Sequence, residues 1–198
     1  YRASLLVAYA INLVGYASES RRVGDVIYVI GSNYVPWGYD RPASHPTDEG
    51  FVASVNVADP NNIIPVERKA ISGNALVMHT STSGLFAASQ DWDSDSGDTI
   101  TRVQAVDISD PAGAIAIRGS VDVPGTIRNR FYLDAFEGVL RIVTQSWGFG
   151  FRNVRVSTYS LADLDNITPL GQADIMDNES LEAVRFDGPR GYVVTFFR

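Results

Sequence analysis

The chain has 198 residues, 45% hydrophobic and 11% aromatic, a composition that can bury a sizeable core and excludes intrinsic disorder. Its net charge of −7, with Lys69 the only lysine among 16 basic residues, argues against a nucleic-acid backbone or an anionic membrane surface as the main partner, and against lysine-based covalent catalysis. The absence of cysteine removes disulfides, thiolate nucleophiles and Cys-based zinc sites, and the longest apolar run, LLVAYAINLV, falls short of the roughly 18 residues of a membrane helix.

Runs rich in Val, Ile, Tyr, Phe and Thr are bounded throughout by Gly, Asp, Asn and Pro. No segment keeps a 3.6-residue period over three turns, so the chain is predicted to be all-β. In chain order the reading is a strand tail at 3–11, a first unit at 16–70, a second at 75–123, a third at 129–174 and the opening half of a fourth at 181–198. The second unit is read as strands 75–80, 85–89, 99–109 and 114–123, and the third as strands 129–136, 139–145, 153–162 and 167–174.

What defines the units is a recurrence. VNVADP (55–60), VDISDP (106–111) and YSLADL (159–164) each end a strand in an acidic turn, with Asp59, Asp110 and Asp163 spaced 51 and 53 apart. Asp at the first position of a type I turn accepts a hydrogen bond from the turn's own backbone, and Pro60 and Pro111 preset φ at the second. Gly24, Gly84, Gly138 and Gly191, spaced 60, 54 and 53 apart, are read as the glycines of the turn between first and second strands. Gly15, Gly73 and Gly125, with Asp177-Asn178 in the last unit, mark the connection from each fourth strand to the next first strand, where positive φ is tolerated.

A repeat of this length made only of strands and turns predicts a β-propeller segment of about three and a half four-stranded antiparallel blades. The chain begins at Tyr1 and stops just after YVVTFF, and so reads as an internal fragment; its two unpaired edges are expected to be closed by further residues or by another copy in a homo-oligomer.

SRRVGDVIYVIGS (20–32), ITRVQAVDISDP (100–111), VPGTIRNRFYLDAFEGVLRIVT (123–144) and LEAVRFDGPRGYVVTF (181–196) resemble the bacterial secreted β-propeller-domain proteins, distant relatives of WD40 repeats. That resemblance implies a propeller continuing past Arg198 and an extracellular, periplasmic or cell-surface location. It carries over no catalytic residues.

Function has to be sought in the loops and the first strands. The connections from second to third strands are the long ones, 33–50, 90–98 and 146–152, and each holds one tryptophan: Trp37, Trp92 and Trp147. With Tyr39 and Phe149 they are candidates for an aromatic contact with a protein or polysaccharide partner, because such rings give large contact area with few torsions to freeze. The competing reading has each ring capping the gap between neighbouring blades.

In the second of these loops Asp91, Asp93, Asp95 and Asp98 alternate with other residues, a spacing that could gather hard oxygens around calcium. The alternative is a solvated acidic hairpin tip. His45, between Ser44 and Pro46, and His79, on a first strand, cannot form a metal triad alone; His79 is read as a satisfied strand histidine or as facing a central channel.

Charges recur on the first strands: Glu19, Arg21 and Arg22, then Arg128, Arg130 and Asp134, then Glu182 and Arg185. They suit ion pairs in a channel, or, in the runner-up function, glycan hydrolysis or lysis by channel-lining carboxylates. The leading expectation is a non-catalytic binding or structural module.

Overall fold

The computed structural model describes residues 13, 15–33, 50–93, 98–148 and 151–197. Three four-stranded sheets and one two-stranded sheet follow one another in chain order. The first holds β1 (Tyr16–Val23), β2 (Val26–Ser32), β3 (Gly50–Asn56) and β4 (Ile64–Ile71). The second holds β5 (Asn74–Ser81), β6 (Gly84–Trp92), β7 (Thr99–Asp107) and β8 (Ala116–Pro124). The third holds β9 (Leu133–Phe136), β10 (Val139–Gly148), β11 (Phe151–Ser160) and β12 (Thr168–Asp177), and β13 (Ser180–Asp187) pairs with β14 (Arg190–Phe196) in the fourth. Every pairing is antiparallel, so each sheet is a meander with its first strand at one edge. This is the all-β, partial-propeller architecture that the repeat predicts.

The sheets stack because each strand of the second presents apolar residues on both faces. Successive β6 side chains point to opposite sides. Leu85 and Ala87 join Val26, Tyr28, Ile30 and Val52 in a core between the first and second sheets. Phe86 and Ala88 join Leu133, Leu140, Ile142 and Val154 in a second core, which extends to Leu181 and Val184 of the fourth sheet. Full burial of each large side chain contributes on the order of 1.5–3 kcal/mol, and these cores hold consecutive sheets face to face in series.

The acidic turns then latch one sheet to the one before. Asp59 Oδ1 accepts from the Asn61 N–H at 2.8 Å, Asp110 Oδ1 from Ala112 at 2.8 Å and Asp163 Oδ1 from Asp165 at 2.9 Å. The turn thus survives the loss of proline at Leu164. The second sheet's turn receives Ser54 Oγ at 2.6 Å on the Gly113 carbonyl and Asn56 Nδ2 at 3.1 Å on that of Ala112, while the Ile115 N–H donates to Glu67 Oε2 at 2.7 Å. In the third, the Leu164 carbonyl accepts from the Gly119 N–H at 2.8 Å, and Arg118 bridges Asp107 and Asp165.

Three details depart from the sequence reading. The strand expected at 129–136 is shortened to β9, because Asn129 Oδ1 accepts from the Phe131 N–H at 3.0 Å and winds Arg130–Tyr132 into a single 3-10 turn. The loop expected at 146–152 is largely ladder: Trp147 pairs with Arg152 and Gly148 with Phe151, since this aromatic-rich stretch prolongs the hairpin. Gly84 and Gly191 are not turn glycines but residues of β6 and β14; the turn before Gly191 is carried by Gly188 at φ 53°. The connection residues Gly15, Gly73, Gly125 and Asn178 do all take positive φ, at 114°, 70°, 93° and 65°.

Candidate functional site

The first strands of successive sheets touch in turn: β1 with β5, β5 with β9, and β13 with the 3-10 turn ahead of β9. They therefore gather about a common axis, where they line a half-open cavity of about 320 Å³. Its position follows from register. In each hairpin of first and second strands, one inner residue sits two places before the last residue of the strand: Arg21 opposite Tyr28, His79 opposite Phe86, Asp134 opposite Arg141, and Arg185 opposite Tyr192. All four border the cavity. One residue from each sheet thus contributes to a single ring.

Around that ring the cavity is graded. Met78 and Leu133, both fully buried, are apolar lining, with Thr80 and Phe186 beside the ring. Arg130 and Phe131, brought in by the 3-10 turn, are exposed and form the rim together with Arg185. The lining lies toward the turn-bearing ends of β1, β5 and β13. The second strands run away from this end toward their connections with the third strands.

Charge is unevenly committed. Glu19 pairs with Arg21, stands 3.6 Å from Arg130 Nη1, and accepts the Met78 N–H on its other oxygen at 2.7 Å. Asp134 is held by Arg141, whose Nε donates to Oδ2 at 2.9 Å and whose Nη1 donates to the Gly188 carbonyl at 2.8 Å. The same guanidinium lies over the Phe136 and Phe186 rings, 5.2 and 4.7 Å from their centroids. Among the described residues no carboxylate forms an ion pair with Arg185.

His79 answers both of its readings. Its Nε2 accepts the Ala135 N–H at 3.2 Å, so it is a satisfied strand histidine, and it also faces the cavity. That bond leaves the neutral ring's proton on Nδ1. Burial is the main influence holding its pKa below the ordinary 6.5; Asp134 and Glu19 oppose the shift, and Arg21 and Arg141 reinforce it.

The remaining candidates that are described do not border this cavity. Trp92 ends β6 and Trp147 lies near the end of β10, while Trp37, Tyr39, Phe149 and Asp95 fall outside the described residues. Asp91 pairs with Arg102 at 3.1 Å, and the Asp93 N–H donates to the Asp98 carbonyl at 2.9 Å, closing the base of the tip. Among the described residues no group of three or more His, Asp or Glu side chains is placed to hold a metal ion. His45 is also outside the described residues.

Sequence reasoning singled out Arg21, Arg130, Asp134 and Arg185 as channel charges but did not see them as one site, and it missed Phe131, Phe186, Met78 and Thr80. The signal was present: Arg21, His79, Asp134 and Arg185 each stand three residues before the first residue of their turn. Aligning on glycines hid the match, because Gly84 and Gly191 lie in the strands that follow their turns.

Comparison with known families agrees with this geometry. A model of the β-propeller domain matches residues 39–198, most of the chain. The chain belongs to the β-propeller domain family. No curated protein and no solved structure matches it. Membership accounts for the serial four-stranded sheets, and leaves the ring at the axis to be interpreted from its own chemistry.

Proposed function

We propose that this propeller segment is a non-catalytic binding module of an extracytoplasmic protein, taking a protein or polysaccharide partner. The observation that carries the reading is the state of the carboxylates around the axial cavity. Glycosidic cleavage by acid and base needs two carboxyl groups flanking the bond in distinct roles. Glu19 is occupied by two arginines and a backbone N–H, and Asp134 by Arg141. Glu179 accepts from the Thr195 hydroxyl and Glu182 is exposed, and neither borders the cavity. What the cavity offers a ligand is cationic and aromatic surface, which suits retention rather than cleavage. The extracytoplasmic setting is supported by the resemblance to secreted propeller proteins.

A glycan array run beside a reducing-end assay tests this reading. Capture without release of reducing ends is the expected result. Turnover that disappears in Glu19→Gln or Glu182→Gln would replace the proposal with the hydrolase or lyase alternative. A separate test covers the other end: loss of capture on replacing Trp37, Trp92 and Trp147 together by Ala would add that end to the contact surface, and undiminished capture removes it.

A further inference from the structure

We propose that the axial cavity is a binding site for a hydroxylated carboxylate the size of one sugar ring, a hexuronate being the simplest member of the class. The inference rests on the binding-module reading and adds the ligand's chemistry. In a chain of net charge −7, this is a local inversion of sign. Arg21, Arg130, Arg185 and Arg141 stand at or beside the cavity against, among the described residues, two carboxylates, Glu19 and Asp134. Long-range attraction from the rest of the acidic surface is therefore absent, and an anion must be held by short contacts.

Guanidinium groups supply those contacts. Arg is always charged, and its planar fork matches a carboxylate with two parallel N–H donors, a pairing stronger than a neutral hydrogen bond. Arg185 has no ion pair among the described residues, and Arg130 stands 3.6 Å from Glu19 with its guanidinium 5.0 Å from the centroid of the Phe131 ring. Both stand at the rim, where an incoming carboxylate would meet them first.

The rest of the lining fits the body of a sugar acid better than a bare anion. Thr80 carries a hydroxyl and His79 an Nδ1–H, both able to meet ring hydroxyls, while the parts of the Phe131 and Phe186 rings left open beside Arg130 and Arg141 provide apolar surface for the C–H face. At about 320 Å³ the cavity lies at the small end of the roughly 300–1,000 Å³ span of ligand pockets. That volume suits one ring rather than a long oligomer. A phosphate or sulfate would use the arginines and leave the apolar and hydroxyl-matching surface idle.

Isothermal titration of the whole chain with sodium glucuronate, glucose, acetate and inorganic phosphate decides the matter. Saturable glucuronate binding is expected, at least about tenfold tighter than any of the other three. Arg130→Ala with Arg185→Ala should weaken it at least about tenfold, consistent with loss of charge-assisted hydrogen bonds. Both side chains are exposed, so the double variant should melt with the parent; Arg185→Lys, which keeps the charge but not the fork, should retain only part of the affinity. Equal binding of glucose or phosphate, no glucuronate binding, or undiminished binding in the double variant each overturns the proposal. Absence of glucuronate binding alongside array capture without turnover would sink the ligand class and leave the binding-module reading standing.

Discussion

The second and fourth sheets are built from the same local pattern, yet β6 of the second is interior and β14 of the fourth is exposed. In β6, Leu85, Phe86 and Ala87 are each no more than 1% exposed, because a sheet lies against either face. In β14, Tyr192, Val194 and Phe196 are 50–55% exposed, although alternation along the strand is just as apolar. Burial in a repeat array belongs to the stack and not to the strand. The same contrast runs along the axis, where one register position is a half-buried histidine in the second sheet, His79, and an exposed arginine in the fourth, Arg185.

Mutation should widen the gap between the two sheets. Phe86→Ala opens a cavity between the second and third sheets and is expected to cost about 3–5 kcal/mol, whereas Val194→Ala should cost less than about 0.5 kcal/mol. Urea unfolding of both variants measures the difference, and similar losses would mean that β14 is covered in solution, by a second copy or by further chain.

A smaller effect is expected from His79. Its folded pKa is lowered by burial, so its contribution to stability is present above the ordinary 6.5 and is lost as pH falls through the folded value. Melting followed from pH 8 to 5 should therefore decline on the acid side, and His79→Gln should flatten the decline. An unchanged profile in the variant would show that His79 takes up its proton without cost.

Weaker still is the contribution of Asp107, which Arg118, followed by the Ser109 backbone N–H, holds at about 2 instead of 3.8. Its stabilisation is present above 3.8 and is lost as pH falls toward about 2; solvent exposure screens it, so Asp107→Asn should remove only a minor part of the acid sensitivity. Calcium at the Asp91 to Asp98 tip is expected to have the smallest influence, a rise in melting temperature relative to chelator that vanishes in Asp93→Asn with Asp98→Asn. No rise in the parent would leave that tip a solvated hairpin end.

Much of the fold was legible because it rests on local rules. The turn aspartates report their own backbone hydrogen bonds, and the glycines at 15, 73 and 125 report positive φ wherever they fall in the stack. The site was less legible. Arg21, His79, Asp134 and Arg185 are about 50 residues apart and chemically unlike, so no motif joins them; only a correct alignment of four turns does. The 3-10 turn that carries Arg130 and Phe131 to the rim depends on one side-chain bond from Asn129, in a stretch whose composition reads as strand.

By itself the sequence determined an all-β repeat, its approximate period and the turn chemistry within each unit, since strand alternation and turn geometry act over a few residues. Tertiary structure decided which apolar strands are interior, which arginines are paired with a carboxylate, and that four first strands share one cavity. Those outcomes depend on contacts between residues far apart in the chain, and local pattern carries no record of them.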